Sequence, residues 1–151
     1  MDWIHCDGGR EAAGFKGETG DCVVRAIAIT TKRSYKEVYD ALHCKSKDYL
    51  AGHSNAVTKT MKKRGGTSPR DGCNREVYQP YLGLLGWVWV PIMKIGSGCV
   101  MHLKKDELPD GRIIARVSKH LVAIIDGVLH DTHDCSRDET RCVYGYFQNR
   151  R

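Results

Sequence analysis

The sequence predicts an α+β fold in which N-terminal helices pack on a C-terminal antiparallel sheet of about four to six strands. Two features point there. Up to Leu85 the apolar residues recur at helical spacing behind capping residues. From Trp87 onward they come in short β-branched and aromatic runs separated by turn residues. The 151 residues suit one domain, 1–151, with a core of its own, and no repeat or low-complexity tract divides them.

Residues 1–20 are rich in Gly, Asp and Glu and read as loop. "CVVRAIAIT", starting at Cys22, predicts a mostly buried helix of about two turns, with Asp21 as N-cap. "SYKEVYDALHCK" opens on Ser34 with Glu37 three residues later, the pattern of a capping box. Asn55 is placed to cap a third helix that carries Val57 and Met61 on one face and stops at Gly65. A fourth helix is expected behind Asn74, with Pro80 kinking it or marking its start. "WVWVPI", "GRIIARVS", "HLVAIID", "GVLHDT" and "RCVYGYF" are the expected strands.

Composition narrows the classes. Hydrophobic residues make up 41% of the chain and charged residues 28%, the balance of a globular protein rather than a disordered one. No apolar run approaches the ~20 residues of a membrane helix, and the N-terminus lacks the basic start and apolar stretch of a secretory signal. The expected compartment is the cytoplasm, with no membrane partner. Seven cysteines at irregular spacing and without a CxxC are then expected to be free thiols. The net charge of +6 would suit nucleic acid, but the densest cluster, Lys59–Gly66 followed by Arg70, has no RNA-binding aromatic signature and reads as a solvated helix end.

The chemistry concentrates in "SKHLVAIIDGVLHDT". Asp126-Gly127 is a strong two-residue hairpin signal. It sets Ile125 opposite Val128, Ala123 opposite His130, and His120 opposite His133. Side-chain alternation puts His120, Val122, Ile124, Leu129, Asp131 and His133 on one face, with Asp131 diagonal to His120. A carboxylate there can accept the Nδ1–H of His120 and aim Nε2 outward as a nucleophile's base. Asp126 is explained as a turn residue. Cys22 is the candidate nucleophile: a helix N-terminus offers free N–H groups and a positive dipole end, which favour thiolate and can hold an oxyanion. Gly20 leaves room for substrate, and His133 lies on the expected rim.

The order of Cys at a helix start, His at a strand start and acid on the next strand resembles the papain-like cysteine peptidase superfamily. The likeness is to its small members, the leader-processing domains of bacteriocin exporters and the cell-wall amidopeptidases. The matching pieces are "GDCVVRAIA", "KHLVAIIDG" and "VLHDT", within roughly Gly17–Asp134. The longer run also looks like a group of small phage and prophage proteins. The resemblance implies a cysteine hydrolase, a peptidase or isopeptidase, with Cys22 as nucleophile, His120 as base and acid, and Asp131 as orienting carboxylate; deamidation, transglutamination or acyl transfer would use the same triad. Its substrate would be a host or viral protein or peptide. Such enzymes usually carry a Gln several residues before the Cys. Here Lys16, Glu18 and Thr19 occupy that stretch, so the expected oxyanion donors are the Cys22 N–H with the Thr19 hydroxyl, the Lys16 ammonium or, only if protonated, Glu18. Val23 stands where many relatives have a small residue.

No cofactor is expected. "HDTHDC" has ligand types suited to zinc, but in this register His130 faces away from His120 and His133, so no metal site is expected there. The alternative to an enzyme is a basic interaction protein on a degenerate peptidase scaffold, with nucleic-acid binding through Lys59–Arg70 as a weaker third reading.

Overall fold

A computed structural model describes residues 1–17, 19–94 and 96–150. Helices α1 (Cys22–Thr31), α2 (Tyr35–Gly52), α3 (Ala56–Arg64) and α4 (Arg75–Leu84) precede strands β2 (Trp87–Pro91), β3 (Arg112–Val117), β4 (His120–Ile125), β5 (Val128–Asp131) and β6 (Gly145–Asn149). Ahead of them all lies β1 (Trp3–His5), inside the stretch expected to be loop. The strands form one sheet in the order β1-β5-β4-β3-β6-β2. Its four other pairings are antiparallel, but β1 runs parallel to β5. The sheet is therefore mixed rather than antiparallel.

The caps explain the helix starts. Ser34 Oγ accepts the Glu37 N–H at 3.1 Å, while the Glu37 carboxylate turns to Arg33, so only the forward half of the expected capping box forms. At α3 the box is complete, built by Asn55 and Thr58. Pro80 sits inside α4, whose first residue is Arg75, so it does not mark the start. Asn74 holds the cap position of α4, but its side-chain oxygen accepts from Arg64 instead.

Two cores flank the sheet. Val24 and Ile27 of α1, Leu42 of α2 and Leu82 of α4 pack against Ile114, Leu121 and Phe147 on one face. The opposite face carries Ile113, Val122, Ile124 and Leu129, covered by Leu103, Leu108, Cys135 and Val143 from the loops. Helix α1 is enclosed between α2 and the sheet and is apolar almost all round, as a buried helix must be. The hairpin register is the expected one, with Ala123 opposite His130 and Ile125 opposite Val128. Asp126 and Gly127 both have positive φ, which a tight two-residue turn demands. Asp126 also accepts the Gly111 N–H at 2.8 Å, so it serves the turn.

The seven cysteines are not all free. Cys99 and Cys142 form a disulfide across 43 residues, while Cys6, Cys22, Cys44, Cys73 and Cys135 remain thiols. The correction comes from pairing that spacing does not reveal: the Val143 N–H donates to the Met101 carbonyl and the Leu103 N–H to the Arg141 carbonyl, drawing the two segments together. Among the described residues, no helix is long and apolar enough to cross a membrane.

Candidate active site

His120 opens β4 and Asp131 closes β5, so the hairpin sets them side by side at one end of the sheet. The Nε2–H of His120 donates to Asp131 Oδ2 at 2.6 Å. The expected polarity of the ring is thus reversed: Nε2 faces the acid and Nδ1 is the remaining nitrogen, with the Cys135 and Cys22 sulfurs both interacting with the ring. The reason is reach. Asp131 lies diagonal to His120 across the strand pair, where the far nitrogen of the ring meets it.

The acid is held from every side. Its Oδ1 accepts the Thr132 N–H at 2.7 Å and a bond from Arg25 Nη1. Its backbone carbonyl accepts Cys6 N–H and Trp3 Nε1–H, both at 3.0 Å, the contribution of β1 and the residue after it. Arg25 is only 6% exposed. Its Nε donates to Asp21 at 2.8 Å, and Asp21, fully buried, also takes the Tyr35 hydroxyl at 2.7 Å and Arg10 at 3.3 Å. A relay of opposite charges therefore runs Arg10, Asp21, Arg25, Asp131, His120. Buried charges survive only in such pairings.

This network accounts for a second correction. Asp21 occupies the N-cap position of α1, but its carboxylate makes no capping bond. The first N–H groups of α1 have no intrahelical partner and are left uncapped beside Cys22, where an oxyanion can use them.

Charge is distributed accordingly. Burial works against the imidazolium of His120, but Asp131, with the Cys135 and Cys22 sulfurs, holds it up to about 11. Burial also opposes ionisation of Asp131, and His120 and Arg25 overcome it, drawing the carboxyl down to about 2. At Cys22 burial again opposes charge, yet His120 and the Leu121 N–H bring the thiol below its ordinary value. Cys73, in the same cleft, is the internal comparison: burial pushes its thiol up to about 12, with Arg64 only partly offsetting it. What distinguishes the two thiols is chiefly the imidazole, with the Leu121 N–H and Arg25 beside Cys22.

The cleft beside Cys22 has a volume of about 390 Å³ and is walled by Gly20, Arg64, Arg75, Arg116, Lys119 and His120, among others. Gly20 and Cys22 thus share it, as expected. His133 is exposed, with its ring centroid 5.4 Å from that of His120, but it is not among the residues that wall the cleft. Thr19 does not serve as expected: its hydroxyl donates to the Arg70 carbonyl at 2.7 Å, leaving no proton for an oxyanion. Glu18 lies outside the described residues.

Sequence reasoning does not bring Arg25, Asp21 and Tyr35 into the site. The available signal is a single arginine in the otherwise apolar "VVRAIAI". Among the described residues, two groups offer ligand-type atoms within 4.8 Å of one another, His120–Asp131–His133 and Cys99–His102–Cys142. Neither includes His130. In the first, Asp131 is already engaged by Arg25 and His120, and in the second the sulfurs are joined. Comparison with known protein families, with curated proteins and with solved structures finds no match for this chain, so a functional reading rests on the geometry.

Proposed function

We propose that the protein is a cysteine hydrolase that cleaves an amide bond in a protein or peptide. The observation that carries this reading is the thiol of Cys22 at the start of α1, lowered by an imidazole whose other nitrogen is fixed by a buried, arginine-held carboxylate. Such a pair rests as thiolate and imidazolium near neutral pH. The Cys22 sulfur attacks the carbonyl carbon, and the oxygen gathers charge against the uncapped N–H groups of α1. His120 gives its proton to the departing amine, leaving a thioester on Cys22. Acylation removes the thiolate that helped hold the imidazolium, so His120 becomes a better base. It then takes a proton from water, which attacks the thioester and releases the acid. Asp131 orients the ring throughout.

The test is the pH dependence of alkylation by iodoacetamide, resolved by mass spectrometry at Cys22, Cys6, Cys44, Cys73 and Cys135. Cys22 alone should react fast below neutral pH and slow down in His120→Ala. A proteome-derived peptide mixture should then gain new N-termini with the wild type and none with Cys22→Ala. A Cys22 that follows the profile of exposed Cys44 overturns the reading. Fast alkylation without any new termini rejects peptide hydrolysis and leaves deamidation, acyl transfer or binding.

A further inference from the structure

We infer that the cleft beside Cys22 selects an acidic peptide, lodging a substrate carboxylate next to the scissile amide. This rests on the hydrolase reading and names its substrate class. Four cationic side chains wall the cleft, Arg64, Arg75, Arg116 and Lys119, against one acid, Asp71. Four basic side chains elsewhere meet carboxylates: Arg10 and Arg25 share Asp21, Arg33 meets Glu37 and Lys36 meets Asp40. Among the described residues, none of the four cleft cations has a salt-bridge partner. Arg64 donates to the neutral Asn74, and its Nε is buried with no hydrogen-bond partner among those residues. Arg75 donates to the neutral Gln79 and lies over the Trp89 ring at 4.4 Å.

Positive charge left uncompensated in a concave, low-dielectric site concentrates anions there. Guanidinium forks match a carboxylate bidentately. The same forks match phosphate, but the cleft favours a peptide. It ends on a thiol suited to an acyl carbon. Its aromatic wall, Tyr78, is buried at 4% exposure, and the nearby Trp89 is covered by Arg75, so neither ring offers an open stacking platform for a base.

Two alkylating agents of the same shape test this directly, iodoacetate with a negative charge and iodoacetamide with none. Their rate ratio cancels any change in the thiolate itself. At low salt the iodoacetate-to-iodoacetamide ratio at Cys22 should exceed that at Cys44 by about tenfold, and added sodium chloride should collapse it. His120 contributes to that ratio in any protein of this design, so charge reversal isolates the cleft. Arg116→Glu should lower the ratio several-fold, and Lys119→Glu, on an exposed turn residue, should do the same without touching the core. A ratio unmoved by both substitutions overturns the inference. Protection of Cys22 from iodoacetamide then identifies the class. Tetraglutamate should protect, and an oligodeoxythymidine of equal charge should not. Better protection by the oligonucleotide, or by neither, overturns the acidic-peptide assignment. Slow iodoacetamide reaction at Cys22 instead condemns the hydrolase reading, whatever the ratio shows.

Discussion

Replacing Asp131 by Asn keeps the shape of the side chain and removes its charge, and the bonds around it determine how the site responds. Oδ1 of Asp131 faces donors only, Arg25 Nη1 and the Thr132 N–H, while Oδ2 faces the single donor Nε2–H of His120. An amide has one accepting oxygen, and the more heavily bonded side claims it. Its NH2 then points at His120 Nε2, which must become an acceptor. The ring gives up its Nε2 proton and keeps the one on Nδ1, so the imidazole is neutral. Cys22 loses its cationic partner and returns to an ordinary thiol or above. At about pH 6 an ordinary thiol is almost wholly protonated, so alkylation at Cys22 should slow by roughly tenfold or more, with the loss shrinking as pH rises. Stability should fall by about 2 kcal/mol, the worth of hydrogen bonds to a charged group, because Arg25 keeps Asp21. The acid limb should change too. In the wild type the depressed carboxyl stabilises the fold above about pH 4, and that contribution is lost as pH falls through about 2. The variant should lack this step. Iodoacetamide rates and urea unfolding on the same samples read all three effects. A folded Asp131→Asn protein that still reacts fast near pH 6 refutes the reasoning, since the carboxylate would then not be what keeps His120 charged.

The frame around the site yields two further outcomes. Gly145→Ala places a Cβ 2.5 Å from the Trp89 ring and 2.6 Å from the Val90 carbonyl oxygen, so β2 must separate from β6. Urea unfolding should show a loss of about 2 kcal/mol or more, and an unchanged midpoint would mean that the β2 edge yields freely. The Cys99–Cys142 disulfide closes a loop across 43 residues, and reducing it with a dithiol should cost up to about 4 kcal/mol. Non-reducing peptide mapping should find that pair and no other.

The features legible in the sequence share one property: short-range chemistry determines them. Asn55 and Ser34 announce their helices through bonds three residues long. Asp126-Gly127 fixes the hairpin register through its own backbone geometry, and that register alone brings His120 next to Asp131. Strand β1 is illegible because it is three residues long, exposed along its length, and ordered by parallel pairing with a segment at the far end of the chain. The same holds for Cys99 and Cys142. Asp21 reads as a cap from its neighbours, and only tertiary placement reveals that Arg10, Arg25 and Tyr35 compete for it. Thr19 reads as a free hydroxyl until Arg70 arrives from 51 residues downstream. The orientation of the His120 ring depends on ångström-scale offsets that alternation does not encode.

Cys22 and Arg25 lie three residues apart, so one turn of α1 carries both the thiol and the clamp on the acid. The consequence is mechanical. A displacement of α1 from the sheet withdraws the sulfur from His120 and the guanidinium from Asp131 in a single motion. The nucleophile then loses its imidazole partner as the acid loses its guanidinium clamp. The helix works as one lever with two settings, and a ligand that wedges beneath α1 could disarm the site without entering the cleft.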